Sequence, residues 1–234
     1  MKIDCLNHGF VRLVSYMQPA VGNDDLHWTG DLEIVRNARV SYNAEWRSGE
    51  DTDKDARLIG YLSRNKHTSP FEAMTFTFEV KAPIFVLRQW HRHRTWSYNE
   101  VSARYSELPE EFYVPAIEQI TTQSKDNKQM RTTEQHVRSR DIQQAIEEAG
   151  HASFQIYHDL LSVGCPRELA RSVLPFGTYS HMFATVDLHN LFHFLLLRSH
   201  DHAQYEIRVY AEALLKLIAP IVPVAVAAFK ESLK

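Results

Sequence analysis

Residues Met74–Val80, MTFTFEV, alternate apolar and polar side chains, which is the period of a strand with one face on a core. Pro83 then opens IFVLRQWHRH (84–93), where the period becomes helical: Ile84, Leu87 and Trp90 make an apolar stripe, and Arg88 and Arg92 lie a turn apart on another face. Proline suits that start because the first turn of a helix needs no backbone N–H. Upstream, GFVRLVSY (Gly9–Tyr16) is predicted as a strand, and Asp31–Val40 as a short helix with Asp31 near its start. NAEWRSGEDTDKD (43–55) is polar and turn-like. A helix over Asp53–Arg64, with Ala56, Ile59 and Leu62 spaced three apart, ends before HTSPFE (67–72), where Pro70 interrupts it.

Downstream, RTWSYNEVSARYSELPEEF (94–112) has neither period and is expected to be an ordered loop. TTQSKDNKQMRTTEQ (121–135) has almost no apolar residues and is expected to be an exposed, mobile loop. Helices are predicted over Arg140–Leu161, over RELARSVL (167–174) after Pro166, over Asp187–Leu217 with a break near Ser199, and after Pro223. Residues 175–186 receive no element. No repeat or linker divides the chain, so the expectation is a single domain over residues 1–234, of α+β class, with a small antiparallel sheet covered by long helices.

Composition narrows the function. The 234 residues are 44% hydrophobic and 24% charged, enough for a substantial core. A formal charge of -3 provides no global basic field for nucleic acid, so any anion site must be local. Cys5 and Cys165 stand far apart, in no CxxC pairing, which argues against a disulfide framework or a cysteine-built zinc site and fits a reducing, cytoplasmic compartment. The N-terminal MKIDCLNHGFVRLV lacks the pattern of a signal peptide, and the longest apolar stretches are far shorter than the roughly 20 residues that span a bilayer, so no membrane association is expected.

The chemistry concentrates in RQWHRHRTWSYNEVSARY, residues Arg88–Tyr105, with four arginines and two histidines among Trp90, Trp96, Tyr98 and Tyr105. One reading is a basic surface loop. The other is an anion site, because arginine forks in an aromatic, partly desolvated setting bind phosphate bidentately, and a nucleotide-like ligand suits them. His189 and His193 have the i, i+4 spacing of a shared metal, but no HExxH glutamate lies between them, and no metal is expected.

Arg92-His93-Arg94, seven residues and then Ser102 resemble the RHR-x7-S signature of the flavin-dependent thymidylate synthases. HTSPFE is similar to that family's HxTPFE segment, ELARSVLP (168–175) to its ExARxxLP, and FLLLRSHDHAQYEIR (194–208) to its C-terminal LR…HAQxEIR, in family order over about residues 9–220. Ser69 stands where threonine is commoner, which keeps the hydroxyl, and Ala73 where histidine is frequent.

The resemblance implies reductive methylation of dUMP to dTMP, with 5,10-methylenetetrahydrofolate as carbon donor and FAD, reduced by NADPH or NADH, as hydride source. It implies FAD contacts from Ser69, Arg92, His93, Arg94 and Glu100, and from Asp187, Leu188, His189 and His193 on the long helix. It implies dUMP contacts from Gln89, Trp90, His91, Arg92, Glu100, Val101, Ser102, Ala103, Arg104, Arg171 and Arg198. Arg198 is the implied catalytic residue, set against the uracil to favour its ionised form. A homotetramer with sites shared between subunits follows from the resemblance as well. Asp187 has two readings, a helix cap and a flavin contact.

Since flavin carries the electrons, no cysteine nucleophile is required; Cys165 lacks a neighbouring base, and Ser102 is assigned to binding rather than to attack. Two other functions compete with this one. A nucleic-acid module would use RHR on phosphates and Trp96, Tyr98 and Tyr105 for stacking, against which stand the acidic balance and the single short basic cluster. A flavin reductase without methyl transfer leaves Arg104 and Arg171 without a purpose.

Overall fold

The structure is a computed structural model and describes residues 1–18 and 30–233. Strands β1 (Lys2–Cys5) and β2 (Gly9–Tyr16) form a hairpin. Helices α1 (Gly30–Val40), α2 (Thr52–Arg64) and the single turn α3 (Ser69–Glu72) lead into β3 (Thr75–Pro83), which runs directly into α4 (Ile84–Trp90). After β4 (Ser97–Glu100) come a small hairpin, β5 (Thr121–Gln123) and β6 (Arg131–Gln135), the long α5 (Ser139–Ser162) and the short α6 (Arg167–Ala170). Strand β7 (Tyr179–Asp187) feeds α7 (Leu188–Arg198), and α8 (Tyr205–Ile218) and α9 (Pro223–Glu231) complete the order.

The main sheet is antiparallel throughout, in the order β1-β2-β3-β7-β4. The alternation in MTFTFEV does what its period predicts: Phe76, Phe78 and Val80 are fully buried, while Thr75 and Thr77 between them are only partly covered. Their buried face meets Met182, Ala184 and Val186 of β7, and Trp90, Phe194, Tyr210 and Leu214 from the covering helices. On the opposite face Glu79 is held between Arg12 and His181, the latter at 2.7 Å. Helix α8 comes so close to β2 that a Cβ on Gly9 would lie 1.9 Å from the Tyr210 hydroxyl, which donates to the Lys81 carbonyl at 2.9 Å. Only glycine allows that approach.

The expected antiparallel sheet and helices are present, and the ends of α1, α2 and α5 fall within a residue of their predicted places, whereas α6 ends at Ala170 and passes into a 3-10 turn, and α4 also ends early. That helix stops at Trp90 rather than His93, because the RHR segment turns away from the helix axis. The break near Ser199 is real: its N–H and hydroxyl both donate to the Leu195 carbonyl, at 2.9 and 2.5 Å, and close α7.

Five strands are not among those predicted: β1, β4, β5, β6 and β7. The unassigned stretch holds β7, the central partner of β3; its alternation is obscured because Phe183 stands on the open face, 40% exposed, where a polar residue would normally mark the pattern. The expected ordered loop contains β4, an edge strand whose Ser97, Asn99 and Glu100 are exposed, so no alternation of apolar residues marks it and its pairing with β7 defines it. The segment expected to be mobile is the β5–β6 hairpin. Side chains knit it together, with Thr122 and Thr132 hydroxyls 2.6 Å apart and the Gln123 amide donating to the carbonyls of Lys128 and Met130.

Asp31, expected only to start α1, does more. Its carboxylate accepts from the N–H groups of Val224 and Ala225 at 2.8 and 2.9 Å, capping α9 from the far end of the chain. Among the described residues, no helix is long and apolar enough to cross a membrane.

Candidate active site

The site is built where α4 ends against α7. Trp90 is wholly buried, its ring 4.8 Å from Phe194 and 5.6 Å from Trp96, so the end of α4 is anchored in the core. The chain then turns, with N–H donation from His91 to the Leu87 carbonyl and from His93 to that of Trp90. The turn splits the RHR triplet: Arg92 and Arg94 are exposed and His93 is buried. Neither arginine has an ion-pair partner among the described residues, so both guanidiniums are available to an anion.

His93 packs on Phe194 at 4.8 Å and accepts at Nε2 from Arg198 Nε–H, 3.0 Å away. Arg198 sits at the last position of α7 and also donates from Nη2 to the Gln89 carbonyl at 3.4 Å. Burial, then the charges of Arg198 and His193, push the His93 pKa down from 6.5 to about 4. The imidazole is therefore neutral at neutral pH and can act as an acceptor. Burial also lowers the Arg198 pKa, but a guanidinium stays charged at neutral pH.

This arrangement predicts a pH dependence. Because the unfolded chain takes up the His93 proton near pH 6.5 and the folded one only near 4, stability is complete above about 6.5 and falls as the pH drops through that window. The thermal midpoint of the wild type should fall more steeply from pH 7 to pH 5 than that of His93→Gln, whose amide carbonyl accepts at any pH. Parallel curves for the two proteins would show that His93 is not held neutral.

Two clefts flank α7. One, of about 590 Å³, is polar and lined by Gln89, Gln129, Arg198, His200, His202 and Gln204, with Leu196, Leu197 and Ala203. The other, of about 360 Å³, is mostly apolar: His67, Thr68 and Phe71 from the HTSPFE segment face His189, Phe192 and His193 of α7, with Leu62, Ser63, Lys66, Phe229 and Ser232 around them. Leu196 lines both clefts, so they adjoin. A further cleft between α1 and α2 contains none of the expected residues, and its charges pair locally, Arg39 with Asp55 at 2.5 Å and Lys54 with Asp51 at 2.9 Å.

The expected residues fall into two groups. Gln89, His93, His193 and Arg198 come together as described. Arg104 and Arg171 form the other with Glu168, which pairs with Arg104 at 3.6 Å and whose carbonyl accepts from Arg171 at 3.4 Å. No hydrogen bond or ion pair joins the two groups among the described residues. Glu100, on the edge strand, accepts from the Ser180 hydroxyl at 2.5 Å and lies 4.0 Å from His91 Nε2. Val101 is exposed, Ala103 is buried, and the Ser102 hydroxyl accepts from the Arg104 N–H at 3.3 Å.

The remaining expected residues lie at the edges of the site or behind it. The side chains of Trp90 and Leu188 are fully buried in the core and have no surface to offer a ligand; they support the site from behind. Asp187 is the N-cap of α7, accepting from the Asn190 N–H at 2.9 Å and the Asn190 amide at 2.6 Å. Ser69 begins α3 and is exposed, but the cleft is lined by its neighbours His67 and Thr68 instead. Those two were readable in HTSPFE, and Gln204 in HAQYEIR; Gln129 lies in a polar run that offered no signal.

The profile of the family described as thymidylate synthase complementing protein matches residues 26–224. A flavin-dependent thymidylate synthase of Treponema denticola is 47% identical over 232 residues, covering 96% of this chain and 80% of that protein. One from Thermus thermophilus is 46% identical over 236 residues, covering 100% of this chain and 80% of its own. Among solved structures, the UMP/dUMP methylase PolB from Streptomyces cacaoi, bound with 5-Br dUMP, superposes with a TM-score of 0.83 at 35% identity, covering 98% of this chain and 97% of that one. Sequence and fold agree, and the chain belongs to the flavin-dependent thymidylate synthase family.

Proposed function

We propose that this chain is an enzyme that methylates dUMP to dTMP, working as one domain over residues 1–234. The observation that carries the reading is the Arg198 guanidinium, held by neutral His93 and the Gln89 carbonyl at the edge of a polar cleft. A fixed cation there stabilises negative charge on a uracil ring and raises the nucleophilicity of the carbon to be methylated, in surroundings that strengthen electrostatics.

The donor set fits a flavin dinucleotide. Arg92 and Arg94 supply guanidiniums free of ion pairs among the described residues, and the adjoining cleft supplies apolar walls with His67, His189 and His193. Ser69, Glu100 and Asp187 at the start of α7 complete the proposed flavin contacts. When bound and reduced by NADPH or NADH, the flavin supplies the two electrons that convert a carbon at the formaldehyde level, delivered by 5,10-methylenetetrahydrofolate, into a methyl group.

Gln89, His91 and Arg92, with Trp90 behind them, hold one side of dUMP. Glu100, Val101, Ser102, Ala103, Arg104 and Arg171 hold dUMP from a second side. The separation of the two groups within this chain supports a homotetramer in which different subunits complete each site. Cys5 is buried and its pKa is pushed up to about 12, chiefly by burial, so it supplies no thiolate. A cytoplasmic location fits this chemistry.

The test is a flavin absorbance band in the purified protein, followed by release of tritium from dUMP labelled at the methylated carbon. A colourless protein that neither binds added FAD nor releases tritium overturns the reading. Arg171 is proposed to hold phosphate equally in the ground and transition states, so Arg171→Ala should raise the Michaelis constant for dUMP while leaving turnover near normal at saturation. A loss confined to turnover would give Arg171 a different role.

A further inference from the structure

Two segments distant in sequence, and a neighbour two residues away, converge on one carboxylate. Glu206, at the start of α8, is 2% exposed. Its oxygens accept from Arg131 Nη2 of the β5–β6 hairpin at 3.1 and 3.2 Å, from the Tyr113 hydroxyl at 3.0 Å and from Gln204 Nε2 at 2.8 Å. Arg131 also donates from Nη1 to the Gln119 carbonyl at 3.0 Å. Burial and the adjacent carboxylate raise the Tyr113 pKa, so Tyr113 remains a hydroxyl donor. The network does not end there, because Gln204 Oε1 accepts from Gln89 Nε2, inside the cleft that holds Arg198.

An ion-paired carboxylate only accepts hydrogen bonds, and this sets the direction of the whole chain of contacts. Gln204 must turn its nitrogen to Glu206, which leaves its oxygen for Gln89. Gln89 must then turn its nitrogen to Gln204, which leaves its own carbonyl oxygen for the cleft. Without the carboxylate either amide could flip at little cost, and the cleft would face a mixture of donor and acceptor.

We infer that Glu206, acting through Gln204, is a positioning residue that makes Gln89 present an acceptor to a hydrogen-bond donor of the bound nucleotide. This rests on the proposed dUMP-methylating function. It also gives the β5–β6 hairpin a purpose: Arg131 holds the carboxylate in place, and Gln129 of the same hairpin lines the cleft.

A double-mutant cycle tests it. Gln204 is exposed, so Gln204→Met keeps the shape and fold while removing the relay. Gln204→Met should raise the Michaelis constant for dUMP roughly three- to ten-fold, the weight of one oriented hydrogen bond, with turnover and thermal midpoint almost unchanged. Gln89→Met should do the same, and the double variant should be no worse than the worse single. Glu206→Gln should raise the constant while leaving Gln204 and Gln89 in place, because a second amide no longer dictates the direction. An active wild type whose Gln204→Met variant has normal kinetics, or whose two Met substitutions multiply as independent effects, overturns this inference alone. A wild type that releases no tritium from dUMP overturns the function on which it rests.

Discussion

Arg198→Ala is expected to turn over dUMP about 10²–10³-fold more slowly at saturating substrate, the usual cost of removing one preorganised donor from developing negative charge. The guanidinium is oriented before substrate arrives, since Nε–H is fixed on His93 at 3.0 Å and Nη2 donates to the Gln89 carbonyl at 3.4 Å. Its charge is therefore aimed without reorganisation during the reaction. Arg198→Lys should recover little, because an ammonium is a point charge on a flexible stem and cannot keep both anchors while facing the cleft. Steady-state rates at saturating dUMP, with flavin reduction by the nicotinamide donor measured separately, decide the matter. Flavin reduction should proceed at a near-normal rate while methylation collapses; normal turnover at saturation would make Arg198 a binding residue only.

Trp90→Ala should cost about 3–5 kcal/mol of stability, the range for truncating a large aromatic side chain in a core. Trp90 is fully buried against Phe194, Trp96 and Tyr210, and it anchors the turn from which Arg92, His93 and Arg94 project. Trp90→Phe should cost much less, since the ring contacts partly survive and the indole Nε1 is buried without a hydrogen-bond partner to lose. Denaturant unfolding measures both. If Trp90→Ala unfolds like the wild type and loses only dUMP affinity, Trp90 touches substrate directly and is not the anchor described here.

The two expectations draw on different kinds of information. Arg198 stands out in the sequence as part of FLLLRSHDHAQYEIR, and its importance follows from the resemblance alone. That its orientation depends on a neutral His93 does not, because the neutrality arises from burial against Phe194 and from nearby charge, both products of packing. Likewise the letters RHR do not reveal that the two arginines point outward and the histidine inward.

What the sequence by itself determined is what a short window encodes. The apolar period of α2, the helical stretches of α5 and α8, the alternation of β3, the break at Ser199 and the family motifs are all local, and each is legible. Tertiary structure decided what depends on partners remote along the chain. Strand β4 is defined by its pairing with β7, and the polar β5–β6 segment is ordered partly because Arg131 meets the buried Glu206. Asp31 caps α9 from 193 residues away, while Asp187, which could have been cap or ligand, caps its own α7. The physical reason is the same throughout: periodicity records which face of an element is apolar, but a buried polar group is satisfied by whichever donors the fold brings to it.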